Sequence, residues 1–276
     1  MLETKKEISY KEISSFNMKA AYVENSSDDK GSDNGSHVHP ECEIYINLTG
    51  DVSFMVENRI YPVFTGSVII THPYEYHHCI YHSNSQHKHF WMLFNPEGNE
   101  RIFKRFFDRP AGENNLLVVP PEKQNELFEL CFRLSNETLS EVERYYLFFK
   151  LIFMLDSADI PETSEDVYSK DIAIALRYID QYFCDPITIV DIAKNAHVSV
   201  NTLERHFTDM LHITPSAYLK KKRLANAAEI LYRGGTVTEA CQNSGFADYS
   251  SFIATFKKNF GMTPLKYKRV VQNKSI

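Results

Sequence analysis

Asn201 and Arg205 stand four residues apart in the string SVNTLERHF, so on a helix they share one face. An asparagine amide matches the donor and acceptor edge of adenine, and an arginine fork matches guanine. Each good bidentate pair contributes about 1–3 kcal/mol of discrimination between bases. Leu203 and Phe207 have the same spacing and would turn the other side inward, leaving Val200, Asn201, Thr202, Glu204 and Arg205, with the cap Ser199, to face a duplex. Tyr249, Ser250 and Ser251 hold the corresponding places further on, and Lys257 and Lys258 suit phosphate oxygens. A phosphate contact is the blander role for Arg205. A second chemical group lies upstream. His37, His39, Glu43 and Tyr45 share one parity and would project from the same side of a strand, with His77 following later. Eight of the eleven histidines fall between 37 and 89, a density that fits metal binding, proton sensing or surface placement alike.

The elements that must position the first group are written twice. VDIAKNAHVSVNTLERHFTDMLHITPSAY, from residue 190, returns in outline as TEACQNSGFADYSSFIATFKKNFGMTPLKY, from residue 238. An offset of 49 lays Phe252 on Leu203, Phe256 on Phe207, Thr263-Pro264 on Thr214-Pro215 and Tyr267 on Tyr218. Upstream the offset is 48, which puts Cys241 on Ala193 and one extra residue in a turn. Thr188 and Ser199 are placed to cap the two helices of the first copy, and Thr236 and Asp248 those of the second. His197-Val198 and Gly245 are the corners. This is a helix-turn-helix arrangement, whose second helix can enter a major groove; ordinary packed hairpins are the bland alternative. A helix from Pro215 to about Gly234 separates the copies, and about 18 residues at about 1.5 Å each would hold them near successive grooves. Its Lys220-Lys221-Lys222-Arg223 run reads as a solvated face, with Arg223 structural. From residue 168 onward there are 15 Lys+Arg against 9 Asp+Glu, whereas the preceding residues hold 15 against 27, a distribution that points the carboxyl-terminal half at phosphate.

The string from Gly245 to Tyr267 follows the pattern GF-x-D-x-S-x-F-x-x-x-FK-x-x-x-G-x-TP-x-x-Y. With ITIVDIAKNAHVSVNTLERHF and TPSAYLKKKRLANAAEIL it resembles the AraC/XylS-type transcriptional regulators over the last hundred or so residues. His197 and His212 replace commoner small residues, Lys268 replaces a usual Arg, and Ala254 occupies a position from which other members often reach a base. The second recognition helix is therefore expected to read less sequence than the first.

In the amino-terminal half, EIYINLT, VSFMVEN, RIYPVF, GSVIIT and KHFWMLFN are short, β-branched and aromatic strings bounded by Gly, Asn and Pro, which argues a sandwich or small barrel. The spacing G-x5-H-x-H-x3-E-x6-G from Gly31, followed by Gly66, Pro73 and His77, resembles the cupin barrel. That resemblance implies one divalent metal on His37, His39, Glu43 and His77. The competing implication is an organic effector held by His37, His39, Glu43, Tyr45 and His77 with no required cofactor, because many AraC-type sensors use no metal. Trp91 reads as core, and Cys42 and Cys79 as inert buried thiols.

Residues 122–156 turn helical, and Tyr145–Leu155 is apolar almost all round, as in a helix buried against the barrel or another subunit. The expected fold class is α+β: a cupin-like effector-sensing barrel over 1–120, a helical dimerisation segment over 121–156, a linker over 157–169 and an AraC-type DNA-binding domain over 170–276. No apolar run reaches a membrane span of about 20 residues. The charged MLETKKE start shows no secretory pattern, and five cysteines without a C-x-x-C pair suit a reduced, cytoplasmic protein. The resulting expectation is a sequence-specific transcription regulator, an activator by resemblance, binding double-stranded DNA as a homodimer under a small-molecule effector such as a sugar. RNA polymerase is a further partner implied by the resemblance. The alternative is a metal-dependent cupin enzyme carrying a DNA-binding tail.

Overall fold

The computed structural model of the chain describes residues 8–9, 18–25, 36–82, 86–96, 98–161 and 169–273. Gly31, the MLETKKE string and most of the expected linker lie outside the described residues. The chain divides into two compact units, one of residues 1–37 and 41–165 and the other of residues 38–40 and 166–276.

In the first unit two antiparallel sheets enclose an interior. One sheet runs β1 (Ile8–Ser9), β2 (Met18–Asn25), β9 (His87–Phe94), β4 (Cys42–Thr49), β7 (Ser67–Thr71) and β10 (Leu116–Val118). The other runs β3 (Ser36–His37), β8 (His77–Tyr81), β5 (Val52–Val56) and β6 (Arg59–Val63). Strand alternation sorts the side chains of β4 to two faces. Cys42, Ile44, Ile46 and Leu48 join Phe90, Met92 and Phe94 in a core that also includes Leu127, Leu130, Leu147, Phe148 and Leu151 of the helices outside the sheet. Tyr45 turns the other way and packs with Val52, Phe54, Val56, Tyr61, Ile69 and Leu116 between the sheets. Both faces are covered, so β4 reads as an almost unbroken apolar run.

The outer face is closed by α1 (Lys104–Phe107), α2 (Pro121–Leu134) and α3 (Glu141–Asp156), the last begun by a capping box between Ser140 and Glu143. α3 is not buried all round, as its composition suggested. Leu147, Phe148, Leu151 and Leu155 face the sheet, while Val142, Tyr146 and Phe153 are exposed at 80%, 63% and 77%. The loops after β7 and α1 are tied by a buried ion pair in which both terminal guanidinium nitrogens of Arg109 donate to Glu75, at 2.7 and 2.8 Å. Gly112 N–H adds a bond to the same carboxylate.

One expected strand is not there. His37 ends β3 in the four-stranded sheet, residues 38–41 turn, and Glu43 lies in β4 of the six-stranded sheet, so the histidines and the carboxylate do not line one strand. The chain changes sheets between them.

The second unit holds α4 (Lys170–Tyr182), α5 (Ile189–Asn195), α6 (Val200–Leu211), α7 (Pro215–Tyr232), α8 (Val237–Gln242), α9 (Tyr249–Phe260) and α10 (Pro264–Asn273). Thr188 and Thr236 close capping boxes with Asp191 and Glu239, and Ser199 and Asp248 cap α6 and α9. The repeat extends to the backbone. His197 (φ 57°) and His212 (φ 52°) are the left-handed counterparts of Gly245 (φ 74°) and Gly261 (φ 68°), which explains why small residues suit those places. A Cβ on Gly245 would lie 2.6 Å from the Phe183 carbonyl oxygen and 2.9 Å from Arg223 Nε.

The basic run on α7 is only in part a solvated face, with Lys220 exposed. Lys222 is buried and pairs with Asp180 at 2.6 Å, and Arg223 donates to the carbonyls of Phe183 and Asp185. Arg223 is structural, as expected. Among the described residues no helix is long and apolar enough to cross a membrane.

Candidate ligand site and nucleic-acid interface

Although the strand arrangement differs from expectation, the fold brings three of the four candidate ligands together. Donor atoms of His39, Glu43 and His77 all lie within 4.8 Å of one another. The side chain of His37 lies outside the described residues, but its backbone pairs with His77. His77 is buried, with Nε2 2.9 Å from Glu43 Oε2 and Nδ1 2.8 Å from the Glu75 carbonyl oxygen. Both ring nitrogens thus face acceptors. Two imidazoles and a carboxylate, one imidazole oriented by a carbonyl, are a donor set that fits a divalent ion.

Tyr45 shares the inner face of β4 with Glu43 but turns its hydroxyl to a different group. It lies 2.9 Å from His87 Nε2 and 3.9 Å from Cys79 Sγ, and its ring stacks on His89 at 5.0 Å. Burial raises the Tyr45 hydroxyl well above the usual phenol range and pushes the Cys79 thiol up to about 12, so both stay protonated and neutral. Cys42, buried on the helix side of β4, is likewise raised by burial. Burial draws His87 down to about 4, which leaves that imidazole uncharged near neutral pH. Gly50 permits this packing, since a Cβ there would lie 2.5 Å from His87 Nδ1. Trp91 is not core. It is only partly buried and pairs with Tyr45 across the strands, which puts it on the inner face.

His87, His89 and Trp91 therefore join the interior group, although sequence reasoning gave the first two no site role. Their common parity on β9 was the available signal.

On the helical unit, Asn201, Glu204 and Arg205 are exposed along one face of α6, while Leu203 and Phe207 are fully buried. Val200 and Thr202 are half-buried. Ser199 Oγ accepts from Thr202 N–H at 3.1 Å, and the two hydroxyls lie 2.8 Å apart, so this pair organises the helix start. His206 bonds Asp171 of α4 at 2.6 Å and braces α6 from the side. On α9, Tyr249, Ser250, Ser251, Lys257 and Lys258 are exposed, as is Ala254, the counterpart of Arg205.

Two family profiles divide the chain in the same order as these sites. The AraC-like ligand binding domain matches residues 23–148, and the helix-turn-helix domain matches residues 192–269. The chain belongs to the AraC family of regulators. Similar curated relatives of this AraC-family chain include the HTH-type transcriptional activator RhaS of Escherichia coli (strain SMS-3-5 / SECEC), 27% identical over 149 residues that make up 54% of this chain and 50% of the relative. RhaS of Escherichia coli O139:H28 (strain E24377A / ETEC) is 27% identical over 131 residues, 47% of each chain. The chain spans about half the length of the curated relatives it matches. Solved structures similar to it include the C-terminal domain of AraT, a response regulator from Geobacillus stearothermophilus, at 28% identity and TM-score 0.37, covering 38% of this chain and 88% of that one. Another is an apo ToxT variant from Vibrio cholerae strain SCE256, at 13% identity and TM-score 0.37, covering 93% of this chain and 98% of that one. The family and its relatives are regulators rather than enzymes, so the cupin-enzyme alternative gains no support.

Proposed function

We propose that this AraC-family chain is a sequence-specific DNA-binding regulator, an activator, whose barrel binds a small-molecule effector. The observation that carries the reading is the exposed pair Asn201 and Arg205 on α6, four residues apart above a buried Leu203-Phe207 side whose counterpart, Phe252-Phe256, recurs on α9. Asn201, Glu204 and Arg205 are the base-facing group, with Val200 beside them and Ser199 and Thr202 setting the helix start. Tyr249, Ser250 and Ser251 face the second groove, and Lys257 and Lys258 meet phosphates. The test is competition binding by fluorescence anisotropy. Purified full chain should prefer a promoter fragment selected from its own genome over scrambled competitor at 0.15 M salt, and equal affinity for both refutes the reading.

The effector reading rests on His39, Glu43, His77 and Tyr45 around one interior, with His37 added because its backbone pairs with His77. A sugar, whose hydroxyls suit polar groups lining an interior, is a candidate class. A divalent ion would be held by His39, Glu43 and His77, with His37 as a fourth candidate, and would orient a ligand oxygen. In a reporter assay Glu43→Gln should abolish the response to effector and leave binding to DNA in vitro intact. Loss of both would refute a sensing role.

Pairing of two copies is the proposed use of the exposed Val142, Tyr146, Phe149 and Phe153 stripe, whose spacing of four, three and four residues is that of a coiled-coil seam. The proposed domain boundaries are the expected ones, with the 121–156 helices packed on the barrel sheet and the linker ahead of 170. A cytoplasmic location suits five free cysteines, and contact with RNA polymerase belongs to the activator reading.

A further inference from the structure

The inner face of β4 carries a side chain that neither the apolar interior nor the Glu43–His77 pair uses. Asn47 is 0% exposed, and neither its amide nitrogen nor its amide oxygen has a partner among the described residues. A carboxamide can donate two bonds and accept two, and folded proteins seldom leave such a group unmet in the interior. The register sets Asn47 opposite His89, which stacks on Tyr45 and His87. At the other end of the same face the buried Thr71 hydroxyl, opposite Glu43, also has no partner among the described residues. These two groups lie on either side of Tyr45 along one inner face.

The charge of this interior narrows what would meet them. Arg109 is held by Glu75 through both terminal nitrogens, Arg144 lies on α3 and donates to the Leu139 carbonyl, and Lys19 is exposed. No lysine or arginine among the described residues is therefore buried beside Asn47 to balance an anion. A carboxylate brought up to Asn47 would find no cation there to offset its loss of hydration.

We propose that Asn47 is an inner anchor that binds a neutral hydrogen-bonding group of the effector, a hydroxyl or an amide, so that the barrel takes a neutral polar molecule and rejects the corresponding acid. The inference rests on the reading of the barrel as an effector site. It adds Asn47 and Thr71 to that site and fixes the chemical class of ligand.

The test titrates the full chain by calorimetry with a panel of pentoses and hexoses, each beside its own aldonic acid, which keeps the hydroxyl chain and adds a carboxylate. At least one aldose should bind, with its acid weaker by tenfold or more. Asn47→Leu, which keeps the branched heavy-atom outline without polar atoms, should weaken the aldose about 10- to 100-fold while leaving the melting temperature of the ligand-free protein unchanged or higher, because it removes an unmet polar group. Equal binding of an aldose and its acid overturns the proposal, as does unchanged affinity in Asn47→Leu. A ligand-free Asn47→Leu melting several degrees lower also overturns it, since the amide would then be serving the fold. Binding of neither series overturns it too, whereas the effector reading itself is judged separately, by the reporter response of Glu43→Gln.

Discussion

Replacing Arg109 by Met should unfold the barrel far more easily than loss of a surface charge would. The side chains of Glu75 and Arg109 are 0% and 3% exposed, and the pair is joined by two bonds at 2.7 and 2.8 Å. Burial by itself would raise the Glu75 carboxyl. The Arg109 bonds and charge, with His72 and the Gly112 N–H, overcome that and hold it at about 2. Against an unfolded value near 4.5, a depression of that size corresponds to roughly 3 kcal/mol of stability. The sign follows from the depression: this stability is fully present above about pH 4.5 and is lost as pH falls towards 2. Removing one partner of a buried pair costs about 3–5 kcal/mol, because the remaining charge stays desolvated and unpaired. Trp91 is the only tryptophan and sits on the barrel sheet, so its fluorescence during urea denaturation reports this unit. At pH 7, Arg109→Met should lower the fluorescence-monitored stability by about 3–5 kcal/mol, and adding Glu75→Gln should restore more than half of the loss. A loss under about 1 kcal/mol, or a double variant as unstable as the single one, would refute the argument that the buried charge sets the cost.

Other substitutions separate the remaining claims. Arg205→Ala should reduce the preference for cognate over scrambled DNA by about 1–3 kcal/mol, while Lys257→Ala should weaken both alike; equal losses for Arg205→Ala would remove its role as a base reader. Phe153→Glu, at a position 77% exposed, should leave the fold unchanged by circular dichroism yet give a monomeric mass in analytical ultracentrifugation where the parent chain gives a dimer; a parent that is itself monomeric would end the pairing proposal. Gly245→Ala combines a left-handed φ of 74° with a contact of 2.6 Å to the Phe183 carbonyl oxygen, so the helical unit should lose about 1–3 kcal/mol. Far-UV circular dichroism checks this, with Trp91 fluorescence unmoved.

The helical half was legible because its signals are local and occur twice. Thr188, Ser199, Thr236 and Asp248 cap within three residues of themselves, and the offset that aligns Phe207 with Phe256 also aligns the left-handed His212 with Gly261. The α7 run misled because four successive cations outweighed position. Lys222 lies three residues beyond Leu219 on the buried side, and the Asp180 that neutralises it belongs to a different helix. In the barrel, aromatic strings such as KHFWMLFN declared themselves, but β2, with its Ala20-Ala21 pair, and the histidine-rich β8 lack the composition of a strand.

Shared parity was a sound clue only while the chain stayed in one strand. It held for Glu43, Tyr45 and Asn47 and failed for His37, because the chain passes to the other sheet between residues 37 and 42. The same limit hides Asn47 in the sequence. Its face could be read by counting from Tyr45, yet an asparagine in a strand is ordinary until every neighbour that could satisfy it has been placed. Only in three dimensions does it become a fully buried amide with both ends unmet. A site defined by the bonds its residues do not make has no sequence pattern to betray it, whereas a recognition helix defined by the spacing of its exposed side chains does.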